Sequence, residues 1–216
     1  MINGWPVGVP LTLRLTFEIS QQHVVSHAPV KVPKGNVTPV ALPDGKAKAE
    51  AGNVLLQASG GSLLLSSKAI LAAQSPVFRA MLEAKDSLEA KDKLVTIREP
   101  FEVVTAFAGF LATNELKVEP SLVDPNLDVD EIVCRLLQLG DKYDVKYLVQ
   151  EAENWLMSRL KTARVLRFAT LAAKIGAKRL LDECVNYIVH NRGSPELNWE
   201  EVCSSEIAGK ILKRWM

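Results

Sequence analysis

The spacing of apolar residues changes twice along the chain. Leu11, Leu13, Leu15 and Phe17 alternate with Thr12, Arg14, Thr16 and Glu18, the two-residue period of a half-buried strand. Around them, residues 1–52 hold Pro6, Pro10, Pro29, Pro33, Pro39 and Pro43 and show no helical period. From Asn53 the pattern tightens. Asn53–Ala58 and Ser62–Ser66 are short apolar runs split by Ser59-Gly60-Gly61, which predicts a hairpin. Lys68–Ala73 then reads as a helix, and Ser75-Pro76 opens another, with a capping hydroxyl followed by proline at the first helical position.

Leu94–Ile97 is a short strand in this reading. Glu99-Pro100 ends it and starts a helix with Phe101, Val104, Phe107, Phe110 and Leu111 on one side. Pro120 and Pro125 bound an Asp-rich loop. Helices are predicted for 128–143, 146–160, 163–175 and 178–189, and a last one for Trp199–Trp215. The apolar faces predict one buried cluster of Phe78, Met81, Phe107, Phe110, Leu136, Leu139 and Tyr143.

Composition narrows the class. The chain has 216 residues, 26 basic and 25 acidic, with 48% hydrophobic residues, as in an ordinary globular protein. Near-balanced charge gives no field that favours nucleic acid or an anionic membrane, so neither is expected as a partner. Cys134, Cys184 and Cys203 are too few and too scattered for a disulfide framework. With no spanning apolar stretch and no secretory leader, the expected location is the cytoplasm, the nucleus or both.

Catalytic material is thin. His23 and His27 have metal-ligand spacing, but no acid lies between them and the surroundings are strand-like and proline-rich; exposed strand or loop histidines are expected. Cys184 and His190 project from different turns of one helix and lack an orienting third group. Ser59-Gly60-Gly61-Ser62 lacks the phosphate-loop spacing and reads as a turn. Asp124, Asp128, Asp130 and Glu131 miss the calcium-loop register and read as a solvated loop leading into a helix cap. No enzyme, metal or cofactor is expected.

The block Ser67 to Leu82, reading Ser-Lys-Ala-Ile-Leu-Ala-Ala-Gln-Ser-Pro-Val-Phe-Arg-Ala-Met-Leu, resembles the signature helix pair of BTB/POZ domains. Leu136-Leu137-Gln138-Leu139-Gly140-Asp141-Lys142-Tyr143 is similar to a second element of that family. Residues 165–191 resemble the helix pair that follows the domain in speckle-type POZ and kelch-type adaptors. The resemblance implies an α+β BTB/POZ fold, a small β-sheet capped by helical hairpins, with a C-terminal helical extension. It divides the chain into an N-terminal extended segment (1–52), the BTB/POZ domain (53–160) and a BACK-like helical extension (161–216).

The resemblance also implies protein partners, in one of two modes. The first is an adaptor that docks a cullin-3 ubiquitin ligase scaffold. Family members that bind cullin-3 often carry a hydrophobic-x-Glu motif in the loop before the third strand. Here Leu88 and Glu89 stand adjacent in that loop, and with Tyr143 and Tyr147 they are the expected contact residues. The second mode is an oligomerisation scaffold in transcriptional or cytoskeletal assembly without a ligase. The implied dimer face is Lys68, Ile70 and Leu71. Asn53 and Ser67 replace the family's usual aspartate and histidine, and prolines occupy the stretch where a dimerising helix usually precedes the domain, so a weak homodimer or a monomer is expected unless residues 11–19 substitute as a swapped strand.

Overall fold

The computed structural model describes residues 41–42 (backbone only), 52–84, 86–118, 127–204 and 207–215. The alternating segment 11–18, His23, His27, Asp124 and the two prolines of the Asp-rich loop lie outside the described residues.

A two-residue strand, β1 (Ala41–Leu42), is followed by a hairpin of β2 (Asn53–Gln57) and β3 (Leu63–Ser67). The hairpin is antiparallel, with Leu55 opposite Leu65. Its turn needs φ of +87° and +90° at Gly60 and Gly61, a region that glycine enters without a Cβ clash. The Ala58 N–H donates to Ser62 O at 2.9 Å and closes it.

After β3 come three helices, α1 (Lys68–Gln74), α2 (Pro76–Glu83) and α3 (Leu88–Asp92). They form the crossover that lets β4 (Leu94–Thr96) pair parallel with β2, Leu56 beside Val95. The sheet order is β1-β3-β2-β4. Next are α4 (Phe101–Thr113), α5 (Val129–Lys142), α6 (Lys146–Ser158), α7 (Thr162–Ile175) and α8 (Lys178–His190). This is the α+β arrangement expected from the sequence, a small sheet with mostly helical content.

Two of the sequence readings change. The segment around Leu88, expected as loop, is the short helix α3. The expected single helix Trp199–Trp215 is divided into α9 (Trp199–Ser204) and α10 (Ala208–Trp215). Val202, Ile207 and Ile211 are all buried. Five residues of continuous helix would turn Ile207 about 140° away from Val202, so a break is needed to aim all three inward.

The interior has two main parts with α5 between them. Ile132, Leu136 and Leu139 of α5 join Val54, Leu56, Leu64, Phe78, Phe107 and Phe110 in the first cluster. Val133, Cys134 and Leu137, from the other side of the same helix, join Leu156, Phe168, Leu180, Ile188 and Ile211 in the second. That second cluster crosses residue 160, where the domain and its extension were expected to meet. At Gly140 an added Cβ would lie 3.0 Å from Val149 Cγ2. Glycine there lets α5 and α6 approach closely, despite its low helix propensity.

All seven residues of the expected cluster meet: six are buried, and Met81 is half-buried against them. Phe107 touches the rings of Phe78 (6.1 Å between centroids) and Tyr143 (5.6 Å). Phe107→Ala is expected to cost about 3–5 kcal/mol, the range for truncating a core aromatic. Denaturant titration checks this; a loss near zero would show that the aromatic cluster does not hold the domain together.

Candidate protein-docking surface

The surface is built outward from one buried hydroxyl. Ser75 caps α2 by accepting the Phe78 N–H at 3.0 Å. The same oxygen donates to the Tyr143 carbonyl, 2.5 Å away at the end of α5. Ser75 is wholly buried, so this one group satisfies a helix-end donor and a loop acceptor out of reach of water. Phe78, three residues on, stacks on the Tyr143 ring at 4.4 Å and 9° between planes. α2 is therefore fixed on the end of α5 by polar and apolar contacts together.

A second serine fixes α3 to α2. Ser87 donates to Met81 O at 2.6 Å and accepts from the Ala90 N–H at 3.0 Å, so it caps α3 while tying it to the last turn of α2. Lys93 ends the helix with a left-handed φ of 52°, and its carbonyl accepts the Leu55 N–H at 2.8 Å. Five residues make too short a helix to hold itself together. The serine at one end and the strand at the other hold this one.

Leu88, the first residue of α3, is 71% exposed; Glu89 beside it is half-buried. Tyr147 is 36% exposed on the first turn of α6, its ring 5.7 Å from Phe110. Burial, then Glu151, raises its phenol above the ordinary tyrosine range. Tyr143 corrects an expectation. At 3% exposure, under Phe78 and Phe107, it supports the surface from below and offers a partner no side chain. Burial and then Glu99 raise its phenol too. Leu71 is likewise corrected: it is fully buried in the first cluster, leaving half-buried Lys68 and Ile70 from the expected dimer face.

The acidic residues read as a solvated loop and cap have a different setting. Asp128 does cap α5, accepting from the Glu131 N–H at 2.6 Å. Asp130 is 2% exposed; Arg164 of α7 pairs with it directly, and Arg159 approaches to 3.8 Å. Glu131 pairs with Arg167 of α7 and, at 2.6 Å, with Arg135, which reaches Glu99 at 3.0 Å. The cap and first turn of α5 thus place three carboxylates, Asp128, Asp130 and Glu131, where its dipole favours them and bind α7 through its arginines. Glu153 of α6 extends the scheme, lying 3.5 Å from the Leu180 N–H and 3.7 Å from Arg179.

A shallow groove of about 390 Å³ runs between α5 and α7, with Cys134 and Leu166 among its apolar lining and Arg135, Arg167 and Lys174 among its charged lining. Burial, then Asp128, pushes the Cys134 thiol up to about 12; burial, then Glu183, does the same to Cys184. Both are protonated packing groups near neutral pH rather than nucleophiles. His190 Nδ1 sits 2.7 Å from Asn186 O. No cluster of three or more metal-binding side chains occurs among the described residues, and no described helix is long and apolar enough to cross a membrane.

Neither serine's second role, nor the arginine partners of Asp130, was predicted from sequence. Ser87 carried a usable signal, a capping residue ahead of Leu-Glu-Ala-Lys. The Tyr143 carbonyl and Arg164 carried none, being 68 residues from Ser75 and on a different helix from Asp130.

A family model described as BTB/POZ domain matches residues 47–160. The chain is 28% identical over 135 residues to a BTB/POZ domain-containing protein of Arabidopsis thaliana, covering 62% of this chain and 51% of that protein. It is 26% identical over 147 residues to protein maternal effect lethal 26 of Caenorhabditis elegans (66% and 34%). With TD and POZ domain-containing protein 1 of Mus musculus it shares 30% over 125 residues (57% and 32%). The chain thus spans between about a third and a half of these relatives' lengths.

The Asp130 pair is unequal, because its carboxylate is buried while Arg164 is 41% exposed. Arg164→Met keeps the apolar stem but leaves the buried charge with only distant Arg159, and is expected to cost about 2–3 kcal/mol. Asp130→Asn leaves the arginines solvated and is expected to cost about 1 kcal/mol. Paired denaturant titrations check the order; an equal or larger cost for Asp130→Asn would contradict it.

Proposed function

Because this chain belongs to the BTB/POZ domain family, whose members are protein–protein interaction modules, we propose that it acts as a substrate adaptor, docking a cullin-3 ubiquitin ligase scaffold through α3. One observation carries the reading: an exposed leucine on a helix held in place at both ends. A single exposed leucine is ordinary on a protein surface. Leu88 differs in being presented by a short element with little freedom left to lose, which lowers the entropy cost of burying it in a partner.

In this reading Leu88 is the apolar anchor, Glu89 supplies a polar contact at its rim, and Tyr147 extends the surface on α6. Few residues then hold most of the energy, as interfaces commonly arrange it. The helices beyond residue 160, which share a core with α5 and α6, would support the docking face from behind. The work done is a gain in local concentration between two bound proteins rather than bond chemistry. Cytoplasm or nucleus is the proposed place of action.

The rival reading is an oligomerisation scaffold without a ligase. It rests on α1, where Ala69 is exposed beside half-buried Lys68 and Ile70. With Leu71 committed to the core, that patch is small against the ~800 Å² per partner of a standard interface, which favours a weak homodimer.

Calorimetry with the N-terminal domain of cullin-3 separates the readings. Leu88→Glu is expected to weaken binding tenfold or more, about 1.4 kcal/mol, with the thermal midpoint nearly unchanged because the side chain is exposed. Undetectable wild-type binding at ~50 µM, above the micromolar range of useful affinity, would favour the scaffold. Equal binding by both proteins would remove Leu88 from the contact.

A further inference from the structure

Leu88, Tyr147 and Leu212 are the large apolar or aromatic side chains that stand exposed among the described residues. The first two belong to the docking surface around α3. Leu212 is 54% exposed on α10, a helix that packs on α8 and α9. An adaptor needs two surfaces, one for the scaffold and one for the protein it recruits, and α3 supplies only the first.

α10 is held from one side. Ile207, just before it, and Ile211 are buried in the second cluster. Arg214 Nε donates to Asn186 Oδ1 of α8 at 3.0 Å. At about 100° per residue, Leu212 and Lys213 then turn away from α8, and both are exposed. Gly209, a turn earlier, lies between them on the outer face. An added Cβ there would meet nothing within 4 Å, so the bare backbone leaves room for another molecule to approach closely.

Charge on this helix has one sign. It carries Lys210, Lys213 and Arg214 and no carboxylate. Cations in a last turn suit the helix dipole, which accounts for Lys213 and Arg214 but not for Lys210. Arg164, Arg167 and Arg179 each pair with a carboxylate of a neighbouring helix. None of the three α10 cations has an ion pair among the described residues. Leu212 thus differs from a scattered surface leucine in its setting, beside cations whose charge is unmatched.

We propose that α10 is the surface on which the recruited protein docks, through an acidic segment that sets an apolar side chain against Leu212. Calling the occupant a recruited protein rests on the adaptor reading; the chemistry of the surface does not. An apolar anchor beside unmatched cations favours acidic partners and repels basic ones. A second copy meeting the same face would bring like charges together. An anionic membrane needs a broad apolar face, and Ile207 and Ile211 are already spent on the core.

NMR titration of the full chain tests this, with a soluble synthetic peptide of glutamate and leucine and a control peptide carrying lysine for glutamate. The expected result is movement of the Leu212 methyl signals and α10 amides with the glutamate peptide only, weakening as salt is raised. Leu212→Ser, and separately the pair Lys210→Glu and Lys213→Glu, should weaken that binding tenfold or more. Both should leave the thermal midpoint and cullin-3 binding nearly unchanged. No movement, or equal movement with the lysine peptide, would overturn the proposal. So would α10 signals that move with protein concentration alone, which assigns the face to a second copy, or tighter binding to phosphatidylserine vesicles than to the peptide. Wild-type protein that binds the peptide but not cullin-3 would overturn the adaptor reading alone and support the acidic-partner surface.

Discussion

A buried serine joins the start of α2 to the end of α5. Ser75 has one hydroxyl and uses it twice, toward the Phe78 N–H and toward the Tyr143 carbonyl. Leaving either group unpaired at that depth would cost about 1–3 kcal/mol, so the start of α2 and the end of α5 can meet in few other ways. The Phe78–Tyr143 stack confirms the register with apolar contact. From there the constraint passes along the chain: α2 fixes Met81, whose carbonyl holds Ser87, and Ser87 caps the helix that carries Leu88. A residue on the surface is thus positioned by a hydrogen bond in the core.

α5 has the complementary role. It supplies apolar residues to both clusters, so the sheet-bearing part and the later helices share a wall. Its first turn adds the carboxylates that bind Arg164 and Arg167 of α7. Burial of hydrophobic area is the non-directional part of that joint. The Asp130–Arg164 pair adds direction, because a buried carboxylate tolerates only placements that bring its arginine with it. The groove between α5 and α7 follows from that placement.

What the sequence disclosed divides by range. Ser75-Pro76, the Gly60-Gly61 turn and the helical faces of α4 and α5 were legible because each is decided by neighbours a few residues apart. The membership of the aromatic cluster followed from those faces. Leu88 is legible as a candidate, but its helix is not, since five mostly polar residues leave no period to read. By sequence Tyr143 fits both the core and the surface; only the stack under Phe78 decides between them. Asp130 looked like a solvated residue because a lone carboxylate near a helix start usually is. Its arginine sits 34 positions later, and sequence spacing does not encode that meeting. The break before α10 depended on which side the second cluster lay.

In the proposed function a pinned α3 presents Leu88 to a protein partner. Hydrogen–deuterium exchange on the full chain, with and without the cullin-3 N-terminal domain, tests it most directly, since amides of a short exposed helix exchange fast unless covered. Slowing is expected across Leu88–Asp92 and at the start of α6, with α1 unchanged. Slowing confined to Lys68–Gln74, or none anywhere in the presence of saturating partner, would contradict it.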